Sequence, residues 1–363
     1  MFVRSERVLG FPLWGLATGI GSLPYLEPAP ALDLIKHNLA ALPHWPQLPR
    51  RAEAEGFVRQ FLGALEAQGI VAAGEKPRFL NESEDWPERL TAFYTLYFSA
   101  CEGDDAAIEA FGSEREYASG FYDFFETAKA GGFPGAAGLK GQVVGPLTVG
   151  FQLTDAGGRP AYYDPGLREL IVKNLTMTAR WQVGRLQALR SPVLIFIDEP
   201  AVSVYGQSTY ITVTREQVAA DMEAVVAGVK AVGAAVGVHS CAAVDWSILL
   251  TLDIDVLSFD AYGYFNSLLP YRRELTAFLE KGGVLAWGIV PTSEAAHEED
   301  AGSLIERLRS YWKELAARGV PEELLRRQWL ITPSCGAGTL SEPLAERIYG
   351  LTKAAAAKLR QEG

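Results

Sequence analysis

The stretch Ala234-Ala235-Val236-Gly237-Val238-His239-Ser240-Cys241 reads as a short apolar strand that stops on polar, metal-capable side chains. It has no polar alternation, which marks a strand buried on both faces, as in parallel sheets covered by helices. The same grammar recurs along the chain, and that recurrence decides the fold. Short apolar runs at Leu16 to Ile20, Arg78 to Leu80, Leu139 to Val144 and Val193 to Ile197 alternate with longer amphipathic stretches. So do the runs at Asp255 to Asp260, Val284 to Trp287 and Trp329 to Gly336. Helical spacing covers Ala31 to Leu42, Arg51 to Gln68, Pro87 to Cys101, Asp104 to Lys129, Gly166 to Leu189 and Thr214 to Val232. It returns at Asp245 to Leu250, Ser267 to Glu280, Ala301 to Arg318 and Glu342 to Arg360.

Strands alternating with helices predict a parallel α/β architecture. An open doubly wound sheet fits the alternation. Eight βα units over 363 residues favour a (β/α)8 TIM barrel with an elaborated amino-terminal segment, forming one domain over residues 1–363. The polar clusters Ser22, Glu82 with Glu84, Thr148, Asp198, His239 with Cys241, Asp260 and Cys335 each follow a strand. In a barrel that is the carboxyl-terminal mouth, where active sites lie. The Pro-rich passage Pro43 to Pro49 is expected either to cover that mouth or to pack beneath the barrel.

Composition narrows the function. A net charge of -11 disfavours a nucleic-acid surface, which needs basic residues to displace counterions, and disfavours an anionic membrane. Three cysteines make no disulfide framework and fit a reducing compartment. Met1 to Gly15 lacks the layout of a secretory signal, and no apolar run reaches the ~20 residues of a membrane span. A cytoplasmic protein is expected. Gly19-Ile20-Gly21-Ser22-Leu23-Pro24 and Gly336-Ala337-Gly338 lack the third glycine of a dinucleotide fingerprint, and neither a P-loop nor a nucleophile elbow occurs.

His239 and Cys241, two apart on a strand, project to one side. Cys335 stands at another strand end. Zinc takes nitrogen and thiolate ligands, and three protein ligands with one open position make the catalytic pattern. The bland alternative is a buried cysteine packed as a small hydrophobe beside a hydrogen-bonded histidine. Cys101 lies in a helical stretch without polar company. His37, His44 and His297 read as solvated. Asp260 reads equally as a labile metal ligand, as an acceptor behind the histidine, or as a cap. In Asp198-Glu199, neighbours on a strand face opposite ways, so one carboxylate can enter the mouth while the other is structural. Glu82, Glu84 and Asp85 also fit the acidic start of the next helix.

Taken together, Thr18-Gly19-Ile20-Gly21-Ser22-Leu23-Pro24, Val144-Gly145-Pro146-Leu147-Thr148, Ile197-Asp198-Glu199-Pro200-Ala201, His239-Ser240-Cys241, Leu252 to Asp260 and Pro333-Ser334-Cys335-Gly336 resemble cobalamin-independent methionine synthase. The likeness is to its carboxyl-terminal catalytic barrel. The wider superfamily includes uroporphyrinogen decarboxylase and the zinc methyltransferases of methanogens. The resemblance implies zinc on His239, Cys241 and Cys335, with Asp260 where the synthase has a glutamate ligand. It implies that Asp198 binds the amino group of homocysteine and Ser22 its carboxylate. Glu82 would be a further amine-binding group, and Asp198 and Asp260 would be the catalytic carboxylates.

Two departures bear on the methyl donor. The synthase has a second, amino-terminal barrel for which this chain leaves no room. The loop Gly288-Ile289-Val290-Pro291-Thr292-Ser293 lacks the histidine that the synthase uses there as proton donor. A methylcorrinoid such as methylcobalamin, brought by a corrinoid protein, is therefore expected in place of folate. The alternatives are methylation of another small thiol of the coenzyme M kind, or a non-catalytic protein that binds corrinoid or methyl groups.

Overall fold

The computed structural model describes residues 15–72, 76–208 and 212–362. The expectation for the amino terminus falls almost wholly outside them. Strands run at β1 Leu16–Ala17, β2 Val71–Ala72, β3 Arg78–Phe79, β4 Leu139–Val144, β5 Val193–Asp198, β6 Ala235–Ser240, β7 Val256–Phe259, β8 Val284–Val290 and β9 Trp329–Pro333. Seven form one curled parallel sheet in the order β1-β9-β8-β7-β6-β5-β4, ringed by helices. The α/β class and the barrel-like curl are as the alternating runs predict.

The sheet is open, with seven strands in place of the expected eight. Arg78 to Leu80 is not a barrel strand: β3 pairs antiparallel with β2 in a separate two-stranded sheet. The gap between β1 and β4 is bridged by the Pro-rich passage. His44 pairs parallel with Lys140 on β4, and Gln47 pairs parallel with Ser22 beyond β1. Trp45 N–H donates to the Lys140 carbonyl (3.3 Å), and Gln47 N–H donates to the Gly21 carbonyl (3.1 Å). Pro43 and Pro46 have no N–H to give a ladder, so single bridges form there and no regular strand does. The passage therefore neither caps the mouth nor lies beneath the barrel.

Packing explains why the strands read as unbroken apolar runs. Leu194 and Phe196 of β5, Ala235 of β6, Val256 of β7, Ala286 of β8 and Leu330 of β9 fill the inside of the curl with Leu42. The alternate residues Ile195, Ile197, Val236, Val238, Leu257, Phe259, Trp287 and Ile331 meet the helix layer. Both faces are dry.

Several helices differ from their expected spans. Arg51 to Gln68 breaks into 3-10 turns at Glu53–Glu55 and Arg59–Phe61 and a short helix Gly63–Ala67. Gly56 interrupts it; of the face that the spacing indicates, Phe61, Leu62 and Leu65 are buried and Phe57 is half-buried. Asp104 to Lys129 divides into Asp105–Glu109 and Ser119–Lys129, and Ser267 to Glu280 starts as a 3-10 segment containing Pro270. No helix among the described residues is long and apolar enough to cross a membrane.

Candidate metal centre

His239, Cys241 and Cys335 bring one ligand atom each to within 4.8 Å of one another. His239 points into the curl from the end of β6, and Cys241 follows two residues on, as the period of two requires. Cys335 stands just past β9, at the same end of the parallel sheet. A register shift between β8 and β9 at Gly288/Val290 lets one strand bend over the other. Ser334 holds that bend: its N–H donates to the Val290 carbonyl (2.8 Å) and its Oγ accepts from Thr292 N–H (3.1 Å).

The donor set suits a soft, tetrahedral divalent ion. His239 is 3% exposed, its Nδ1 lies 2.9 Å from Ser258 Oγ, and its buried Nε2 has no hydrogen-bond partner. A buried ring nitrogen without a partner is costly unless a ligand takes it. The two thiols act on each other. Hydrogen bonding from Cys335, with the neighbouring His239 as the next contribution, pulls the Cys241 thiol well below its ordinary range. The same bond, reinforced by burial, pushes Cys335 up.

Asp198 ends β5 in register with His239. It is 3% exposed and its Oδ1 has no partner. Burial raises its carboxyl, offset by His239 and by Lys140. Glu199 is turned the other way and is fully occupied. It accepts from Leu147 N–H (2.7 Å), Thr148 N–H (3.0 Å), Ala201 N–H (3.2 Å) and the Thr148 hydroxyl. It ties the turns after β4 and β5 together, and burial pushes its carboxyl up to about 7 against those bonds.

The other expected site residues are not part of that converging group. Asp260 lies outside the converging group, and its Oδ1 accepts from Gly263 N–H (2.7 Å) as the cap of the following turn. The hydrogen-bond partner behind the His239 ring is Ser258, for which the available sequence signal is its place one strand over, in register with His239. Ser22 is half-buried, with its Oγ accepting from Gly338 N–H (3.2 Å) beside the Cys335 loop. Glu82 is exposed on the loop after the β2–β3 hairpin, outside the converging group. Cys101, His37 and His297 are exposed. His44 is not solvated. It is fully buried between the Trp45 carbonyl and Tyr349 hydroxyl, each 2.9 Å away.

No family model and no curated protein matches the chain. Among solved structures, it is similar to a B12-independent methionine synthase from Shewanella sp. W3-18-1 in complex with selenomethionine. That likeness has 19% identity over 66% of this chain and 67% of the other, with a TM-score of 0.45. It is also similar to a GH20 catalytic module of the pneumococcal exo-beta-D-N-acetylglucosaminidase StrH, at 12% identity over 94% and 83% with a TM-score of 0.46. A second StrH structure gives 11% over 94% and 82%, with 0.44. These scores are low, and the two enzymes differ in chemistry.

Proposed function

We propose that this protein is a zinc-dependent methyltransferase acting on a small thiol, with homocysteine as the acceptor and methionine as the product. The donor in this reading is a methylcorrinoid carried by a separate protein. The observation that carries it is the convergence of His239, Cys241 and Cys335 around a buried, unpartnered His239 Nε2. Zinc bound there supplies Lewis acidity that lowers a substrate thiol's pKa from its ordinary ~8.5 toward neutrality.

The chain's own residues do the positioning. Ser258 fixes the ring of His239 so that Nε2 is the nitrogen presented. Asp198 offers a desolvated carboxylate oxygen beside His239, suited to a substrate ammonium group. Ser22, packed against the Cys335 loop, meets the substrate carboxylate in this reading. Two fixed points on the amino-acid end hold the sulfur in line with the donor. Asp260, as a cap, supports the strand end that follows His239 and is not assigned a ligand role. Glu82 is assigned no role.

The preference for a corrinoid rests on the end of β8 and the loop that follows it. Gly288 to Ser293 contains no titratable side chain, whereas a tetrahydrofolate amine leaves only with a proton. A corrinoid needs no proton donor to leave.

The test is anaerobic incubation of zinc-loaded protein with homocysteine and methylcobalamin, with methyltetrahydrofolate polyglutamate in parallel. Methionine from methylcobalamin is expected. Methionine from the folate alone overturns the donor assignment, and no methionine from either overturns homocysteine as the acceptor.

A further inference from the structure

Lys140 is a buried ammonium for which the reaction above has no direct use. It sits on β4 and is 0% exposed. Burying an ammonium costs several kcal/mol, and among the described residues no carboxylate lies within ion-pair distance of it. Its hydrogen bonds go to neutral oxygens, the Ile20 carbonyl at 2.6 Å and Gln142 Oε1 at 3.1 Å. The ring of Phe196 lies 4.5 Å from Nζ. Gln142 in turn donates to the Trp45 carbonyl (3.0 Å). One ammonium thus joins both edges of the open sheet and the passage between them.

Ile20 leads straight to the site. Beyond it, Gln47 N–H donates to the Gly21 carbonyl and Leu23 N–H to the Gln47 carbonyl (3.1 and 2.9 Å). Ala337 N–H donates to the Ser22 carbonyl (2.9 Å), and Gly338 N–H to Ser22 Oγ (3.2 Å). Ala337 and Gly338 belong to the loop that carries Cys335. The segment is closely packed: a Cβ at Gly21 would meet the Gln47 side chain, and one at Gly336 the Ser22 hydroxyl.

We propose that Lys140 is a positioning residue for the metal centre. By clamping the Ile20 carbonyl across the open edge, it fixes Ser22 and, through Ser22, the loop that presents Cys335. This inference rests on reading His239, Cys241 and Cys335 as a metal site. Burial lowers the Lys140 pKa to about 7, and the charge of Asp198 partly offsets that.

The experiment is a cobalt(II) titration of the metal-free protein, following the thiolate-to-cobalt absorption band. It compares wild type, Lys140→Met, Ser22→Ala and the double variant, with the thermal midpoint of each metal-free protein recorded alongside. Lys140→Met is expected to weaken cobalt binding by about tenfold or more, as loss of an outer support does at metal sites. Ser22→Ala is expected to weaken binding in wild type but to add little in the Lys140→Met background, because the two act in series. Wild-type cobalt affinity in a Lys140→Met protein of lowered midpoint would overturn the inference, and so would independent, multiplying effects. If Lys140→Met does not fold, Lys140→Gln decides the matter by the same readout. A wild type that binds no cobalt overturns both this inference and the proposed function. A wild type that binds cobalt yet makes no methionine overturns only the reaction.

Discussion

Ser258 Oγ lies 2.9 Å from Nδ1 of His239, and that bond decides which ring nitrogen faces the two thiols. Ser258 is fully buried on β7, in register with His239 on β6, so its side chain has no competing water. Ser258→Ala is expected to leave the fold intact and to weaken zinc binding about tenfold. A competition titration against a chromogenic chelator measures this, and unchanged affinity would remove Ser258 from the site.

The three cysteines should separate cleanly in metal stoichiometry. Cys241→Ala and Cys335→Ala each remove one of three converging donors and are expected to abolish both tight zinc binding and methyl transfer. Cys101 is exposed at the end of the helix Trp86–Cys101, and Cys101→Ala should retain one zinc per chain and full turnover. Bound zinc measured on purified proteins distinguishes the three, and a zinc-replete, active Cys335→Ala would refute the ligand set.

Asp198 and Glu199 are adjacent and both buried, yet they predict opposite phenotypes. Asp198 Oδ1 is unpartnered, so Asp198→Asn should fold normally, retain zinc, and raise KM for homocysteine with a smaller change in kcat. An acceptor thiol lacking an amine should be almost indifferent to it. Glu199 satisfies three N–H groups and a hydroxyl, and Glu199→Gln turns an acceptor into a donor facing donors. A loss of about 1–3 kcal/mol is expected, read as a fall in the denaturant midpoint. Reversed phenotypes would show that the two carboxylates have been assigned the wrong roles.

Much of this was legible in the chain because buried parallel strands write themselves as unbroken apolar runs. β4 to β9 lie where those runs stand, and the period of two put His239 and Cys241 on one side. The edge-bridging passage was not legible. Pro43, Pro46 and Pro49 read as loop, and parallel pairing with Lys140 and Ser22 is a long-range fact with no local signature. The β2–β3 hairpin deceived for the converse reason, since two residues of strand propensity do not reveal which sheet they join. His44 was misplaced with that passage. Its burial depends on Tyr349, more than three hundred positions away.

His44 gives the passage a pH signature. Burial, and secondarily the Lys140 charge, lowers its pKa from 6.5 to about 3. A depressed pKa means that the unfolded chain binds a proton that the folded chain refuses. The stability from neutral His44 is therefore present in full above pH 6.5 and lost as the pH falls toward about 3. One proton corresponds to about 1.4 kcal/mol per pH unit within that window. His44→Gln can keep a bond to the Tyr349 hydroxyl and has no proton to take up. Its unfolding free energy should fall less steeply than wild type between about pH 6 and 5, by about one proton's worth, although it starts from a lower value at pH 7. His239 and the carboxylates titrate in both proteins and cancel in the comparison. Parallel pH profiles for the two proteins would mean that His44 is reached by water and that the open edge of the sheet is not sealed there.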